Sequence, residues 1–142
     1  MSNEPIPIDD DELVYRRIPV RQGWYANGVL SPQAFHPRRD EISGISVERA
    51  RFKSIEDAAR GPSPDGYHVA VLKVADLRAS GLHVVRRPEV PGGYDEAHAE
   101  LPDLNAGNRR SDEAIHFKET LVVLAGHRPV MGPFTGISGG TE

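Results

Sequence analysis

The chain contains no cysteine, which removes disulfides, thiolate catalysis and every cysteine-based metal site. It has no apolar run approaching the roughly 18 residues of a membrane-spanning helix. Nor does it begin with a charged and then apolar leader, since the opening MSNEPIPIDDDE is acidic and proline-containing. A soluble, cytoplasmic protein with no membrane partner is the expectation. A surplus of basic charge is also missing: 17 Lys and Arg face 21 Asp and Glu, for a formal charge of −4. Arg38-Arg39, Arg86-Arg87 and Arg109-Arg110 are local basic pairs, but the acidic balance argues against a nucleic-acid partner. Catalytic signatures are absent too. There is no glycine-rich phosphate loop, no H-E-x-x-H, no G-x-S-x-G and no paired-carboxylate motif.

What is present suits one α+β domain. A length of 142 residues allows roughly two thirds of the unfolded surface to be buried. Fourteen glycines and twelve prolines imply long loops without reaching the level of general disorder. The densest apolar run lies within Tyr67 to Leu101. Tyr67 to Val74 reads as a well-buried strand and Leu82 to Arg86 as a second, stopped by Pro88. Between them Ala75 to Gly81 reads as a short helical turn, too brief for a parallel crossover, which favours a small mixed or antiparallel sheet. Pro91-Gly92-Gly93 is a turn, and Ala97 to Leu101 a short edge strand ended by Pro102.

Along the rest of the chain, residues 1–12 read as a disordered acidic arm. The domain then spans 13–125 and an irregular tail 126–142. Leu13 to Ile18 is the first strand, closed by Pro19. Its period of two puts one arginine on each face, Arg16 with Val14 and Ile18, and Arg17 with Leu13 and Tyr15. Such an arginine either snorkels from a sheet edge or turns inward as an anion ligand, and snorkelling is the commoner use. Asn27-Gly28 marks a turn. Ser31-Pro32 opens a single capped helical turn, and Ser54 to Gly61 a short capped helix. Ile45 to Val47 is a strand tip or core plug. Ser111 caps a helix carrying Ala114, Phe117, Leu121 and Leu124, or else the helix stops near Glu119 and Leu121 to Leu124 is a strand.

Three residues form one candidate constellation. His68, His83 and His98 are evenly spaced, each second in a strand-like segment. Neighbouring strands in register would let the imidazoles converge as a zinc-like site for a divalent metal, with Glu100 on the face of His98 as helper or general base. The flanking residues do not repeat, so without that convergence the spacing is coincidence and no cofactor is needed. A second grouping joins Arg16 or Arg17 with Ser46 and Glu48 in the loose arginine, serine, glutamate pattern of the ADP-ribosyltransferase fold. Catalytic candidates are therefore Arg16, Ser46, His98 and Glu100.

Several ordered pieces resemble a family of small, uncharacterised bacterial proteins. They are Leu13-x-Tyr15-Arg16-Arg17-Ile18, Ser31-x-x-Ala34-Phe35, Ile45-Ser46-Val47 followed by Arg49-Ala50-Arg51-Phe52, Gly81-Leu82-x-Val84-Val85, and Pro91 ahead of Ala97-His98-Ala99. The similarity spans roughly residues 12 to 101. Those proteins often carry two serines where this chain has Ser31-Pro32, and a more regular C-terminal helix. The resemblance implies a shared fold and a shared site at Arg16, Ser31, Phe35, Ser46 and His98, and no reaction. Two functional readings follow. The first is a non-catalytic component that binds a partner protein through Trp24 and Tyr25, aromatic loop residues of the kind that anchor interfaces. The alternative is a small enzyme with a histidine-based site, with or without metal, or an ADP-ribosyltransferase-like site. Oligomeric state has no sequence signal.

Overall fold

A computed structural model describes residues 6–135; the expectations for residues 1–5 and 136–142 lie outside them. The chain forms a single α+β domain on one six-stranded sheet. Its strands in chain order are β1 (Leu13–Pro19), β4 (Ile45–Arg49), β5 (Tyr67–Lys73), β6 (Val85–Arg86), β9 (His98–Leu101) and β10 (Met131–Phe134). They lie in the order β10-β5-β1-β4-β9-β6 with every neighbour antiparallel. Two small hairpins sit outside it, β2 (Tyr25–Ala26) with β3 (Val29–Leu30), and β7 (Glu89–Val90) with β8 (Gly93–Tyr94). The helices are α1 (Ile55–Ala58), α2 (Val74–Ala79) and α3 (Asp112–Ala125), with short 3-10 turns at Val20–Gln22 and Pro32–Phe35. Among the described residues no helix is long and apolar enough to cross a membrane.

Local chemistry sets the element ends. The hydroxyls of Ser31, Ser54 and Ser111 accept the N–H groups of Gln33, Asp57 and Ala114, so each serine caps the helix the sequence assigned to it. Asn27 and Gly28 hold φ of 54° and 76°, the left-handed pair of a two-residue hairpin turn between β2 and β3. The doubtful segment Leu121 to Leu124 is helical. Ala114, Phe117, Leu121 and Leu124 recur at helical spacing and are buried, and that stripe outweighs the β-branching of Val122 and Val123.

The sheet has one covered face and one partly open face. Val14, Ile18, Ile45, Val47, Leu72, Ala99 and Leu101 point into the main core, closed by α2, α3 and the Pro32–Phe35 turn with its fully buried Phe35. Burying each of the Val, Ile, Leu and Phe side chains contributes roughly 1.5–3 kcal/mol. On the opposite face α1 is the one helix that packs, among the described residues, over a small cluster of Ala59, Tyr67 and Val69 with Tyr15, Ile55 and Phe134. Directly opposed residues of antiparallel strands share a face. The pairs Tyr15↔Glu48, Glu48↔His98 and Ser46↔Glu100 therefore line up together beside α1 with no helix above them.

Four expectations change. β9 is interior, paired on both sides by β4 and β6, so Ala97 to Leu101 is not an edge strand. The strand assigned to Leu82 to Arg86 shrinks to two residues because Leu82 and Val84 turn into the core. The described part of the acidic arm is docked: Ile8 is buried, and the Asp10 and Glu12 carbonyls accept the N–H groups of Ala75 and Val74. In the tail, β10 adds an edge strand to β5.

Gly66 governs that edge. Its φ is 83°, and a Cβ there would stand 2.1 Å from the Phe134 carbonyl oxygen. Gly66→Ala is expected to push β10 off β5 and to destabilise by at least about 1–2 kcal/mol from the left-handed backbone alone. Urea titration with amide exchange at Val69 and Met131 reads both effects; an unchanged midpoint would refute the close packing.

Candidate functional site

The site begins where β1 and β4 part. They pair through Val14↔Arg49 and Tyr15↔Glu48 and no further. The Arg16 side chain fills the gap, with Nη1 donating to the Ser46 carbonyl at 3.0 Å and Nε to the Ala34 carbonyl at 3.1 Å. Glu41 takes the same guanidinium at 2.5 and 3.2 Å and accepts the backbone N–H groups of Ser46 at 2.7 Å and Arg38 at 2.8 Å. Both backbone polar groups of Ser46 are thus satisfied by this ion pair in place of a neighbouring strand. Burial alone would raise the Glu41 pKa, but the Arg16 charge and the hydrogen bonds from Arg16, Arg38 and Ser46 outweigh it and hold it below the ordinary value.

Arg16 is therefore neither a snorkelling edge residue nor a ligand for an external anion. It is 2% exposed and its three guanidinium nitrogens are engaged within the protein. Its role is to fix Ser46, and the ADP-ribosyltransferase-like use of Arg16 is corrected accordingly.

Over the open face lies a cleft of about 440 Å³, within the range of small-molecule sites. Tyr15, Arg17, Ser46, Glu48, His98 and Glu100 form its floor. Asp57 and Ala58 of α1 with Arg60 make one wall, Glu89 to Pro91 the other, and Arg38, Asp40 and Glu41 the end. Ser46 and His98 are diagonal neighbours on β4 and β9, and His98 Nε2 lies 3.2 Å from Ser46 Oγ. The other ring nitrogen, Nδ1, lies 2.7 Å from the Arg87 carbonyl oxygen. A carbonyl only accepts, so Nδ1 carries the proton, and in the neutral imidazole Nε2 is then left to accept from the serine hydroxyl. A nucleophile, a base and a group orienting the base are in place.

The cleft carboxylates are largely engaged. Lys53 Nζ donates to Glu48 at 2.6 Å and to Asp95 at 2.7 Å. Burial would lower the Lys53 pKa, but these two hydrogen bonds overcome it and raise it. Glu100 accepts from Ser43 Oγ at 2.8 Å and from Arg87 Nε at 3.3 Å, which turns it from a free base into a brace between the segments flanking β4 and β6.

The three spaced histidines do not meet. His68 is on β5 beside Ile18, with β1 and β4 between it and β9. At roughly 4.8 Å per strand that leaves it about 14 Å from the line of His98. Its ring packs edge-on against Tyr25 at 4.9 Å, and burial lowers its pKa. His83 sits in the loop before β6, 74% exposed, against Asp103. Among the described residues no group of three His, Cys, Asp or Glu is placed to hold a metal ion, so the zinc-like convergence is corrected. Trp24 packs against the main core, and Tyr25 is half-buried on His68. Of the five positions suggested by the family resemblance, Ser31 is a helix cap and Phe35 a core residue; Arg16, Ser46 and His98 come together at the cleft.

Sequence reasoning gave no role to Glu41, Lys53 and Asp95, and read Arg38 only as half of a basic pair. All four lie in loops without periodicity. The density of charge in His36 to Glu41 is the local signal for Arg38 and Glu41, and Lys53 and Asp95 have none. Comparison with protein-family models, curated proteins and solved structures found no match.

Proposed function

We propose that this chain is a small enzyme that transfers or hydrolyses an ester-like group through Ser46 and His98. The observation that carries the reading is the oriented pair: Nε2 of His98 at 3.2 Å from Ser46 Oγ, and Nδ1 held by the Arg87 carbonyl, on the floor of an open cleft. Ser46 Oγ attacks the carbonyl carbon of the substrate as its proton passes to His98 Nε2. The tetrahedral adduct collapses, the bond to the leaving oxygen breaks, and His98 returns the proton to that oxygen. Water, deprotonated by the same nitrogen, releases the acyl group and restores the serine. Arg16 and Glu41 contribute by pinning the Ser46 backbone.

The partner-binding reading has weaker support, because the two aromatic residues that motivated it are engaged within the fold. Trp24 lies on the core and Tyr25 on His68.

A fluorophosphonate probe followed by peptide mass spectrometry tests the enzyme. One adduct on Ser46 is expected, absent in Ser46→Ala. Its rate should fall about 100- to 10,000-fold in His98→Gln, the range that a general base supplies. Labelling spread over other hydroxyls, or indifferent to His98, would reject the pair as chemistry and leave it a structural hydrogen bond.

A further inference from the structure

The cleft cations divide into two groups. Arg16, Lys53 and Arg60 each have a carboxylate at 2.5, 2.6 and 2.9 Å, from Glu41, Glu48 and Asp57. Arg17 and Arg38 also line the cleft, and among the described residues neither has a carboxylate at ion-pair distance. Both are nevertheless held in place by neutral partners. Arg17 Nη1 donates to the Arg60 carbonyl, and its guanidinium stacks on the Tyr67 ring at 4.5 Å. Arg38 Nη2 donates to the Arg17 carbonyl at 3.2 Å. Gly61 gives Arg17 its room, since a Cβ there would lie 2.5 Å from Arg17 Nη1.

We propose that Arg17 and Arg38 form a phosphate-binding subsite, so that the molecule presented to Ser46 is a small phosphorylated ester. The proposal rests on the Ser46–His98 reading for what happens to that molecule; the phosphate contact stands independently of it. A guanidinium has five N–H donors, and each of these two uses one identified donor group on a backbone carbonyl, leaving the rest for a ligand. A single planar carboxylate is matched by one such fork. Two forks approaching from different elements, β1 and the loop before β4, suit a tetrahedral dianion with oxygens directed to both. Half-burial strengthens this preference. Burial and the nearby Arg16 and Arg17 charges lower the Arg38 pKa by more than Glu41 and Tyr67 raise it, so a dianion relieves repulsion that the protein only partly offsets.

The test is calorimetric titration of the full chain with inorganic pyrophosphate, with glutarate as the carboxylate control. Pyrophosphate is expected to bind more tightly than glutarate, and to weaken at least about tenfold in Arg17→Gln and in Arg38→Gln, as for loss of a charge-assisted hydrogen-bonded contact. Gly61→Ala provides a variant that keeps both arginines but displaces the Arg17 head, and should weaken binding in the same direction; circular dichroism checks that all three are folded. No pyrophosphate binding, equal binding by the variants, or a preference for glutarate would each overturn the subsite. Titration without probe labelling of Ser46 keeps the subsite and rejects the nucleophile. Labelling without titration does the reverse.

Discussion

Glu41→Ala is expected to lower folding stability by about 3–5 kcal/mol, because it leaves a buried guanidinium without its counter-charge. Arg16 is 2% exposed, and the same substitution orphans the backbone N–H groups of Ser46 and Arg38. Against a total of roughly 5–15 kcal/mol for an ordinary domain, that is a large fraction, equivalent to a fall in Tm of about 6–20 °C at this chain length. Glu41→Gln keeps acceptors for part of the network and should lose less. Arg16→Met combined with Glu41→Leu removes both charges and should recover part of the loss. Recovery stays incomplete because the Ala34 and Ser46 carbonyls lose their donor. Urea denaturation of the four proteins measures the series, and a loss under about 1 kcal/mol for Glu41→Ala would show that the pair does not anchor the cleft.

The same residue sets a pH dependence. The folded-state pKa of Glu41 lies below its ordinary 4.5, so folding binds fewer protons there than unfolding does. Its contribution is complete above pH 4.5 and is lost as the pH falls through the lowered folded value. Glu12 is shifted in the same direction. Its burial would raise the pKa, but hydrogen bonds from Arg49 and the Asp9 N–H, with the charges of Arg49 and Arg51, prevail. Wild-type stability should therefore drop steeply below pH 4.5. Glu41→Gln should flatten that slope without abolishing it.

These two carboxylates also show where the sequence stopped being readable. Serine caps, the Asn27-Gly28 turn and the strands at Leu13 and Tyr67 were legible because their causes lie within a few residues. Glu41 was not, since nothing in His36 to Glu41 says that one acid will reach back to β1. Ser46 and His98 were each visible as polar residues in strand-like segments. Their contact, between residues 52 apart, depends on the β4–β9 register, which has no local signal. The even spacing of His68, His83 and His98 misled for the same reason. Sequence distance does not place strands, and β1 and β4 lie between β5 and β9. Arg16 stood between an edge position and an inward anion ligand, because only the assembled sheet reveals that β1 is central.

Arg49→Met is expected to produce a loss of similar size with a different local signature. Arg49 is fully buried at the end of β4. Nε and Nη2 fork onto Glu12 at 2.9 and 2.8 Å, and the two terminal nitrogens donate to the Ile6 and Pro7 carbonyls at 2.9 and 3.0 Å. The guanidinium also lies 4.8 Å over the Phe52 ring and reaches Glu96 at 3.4 Å. Methionine retains the packing of the stem but abandons a buried carboxylate and two carbonyls, for about 3–5 kcal/mol. Lysine should fall between, since one ammonium cannot fork onto Glu12 while serving both carbonyls. If Arg49 is what holds residues 6–12 down, amide exchange at Val74 and Ala75 should rise well beyond the global change, because those N–H groups are bonded to the Glu12 and Asp10 carbonyls. Global loss with those two amides still protected would assign the docking instead to Ile8 in the core and to Arg78, which grips Asp10 at 2.6 Å and the Ile8 carbonyl at 3.0 Å. Arg49 would then be a brace between Glu12 and Glu96, holding β4 to the segment that leads into β9 and so to His98.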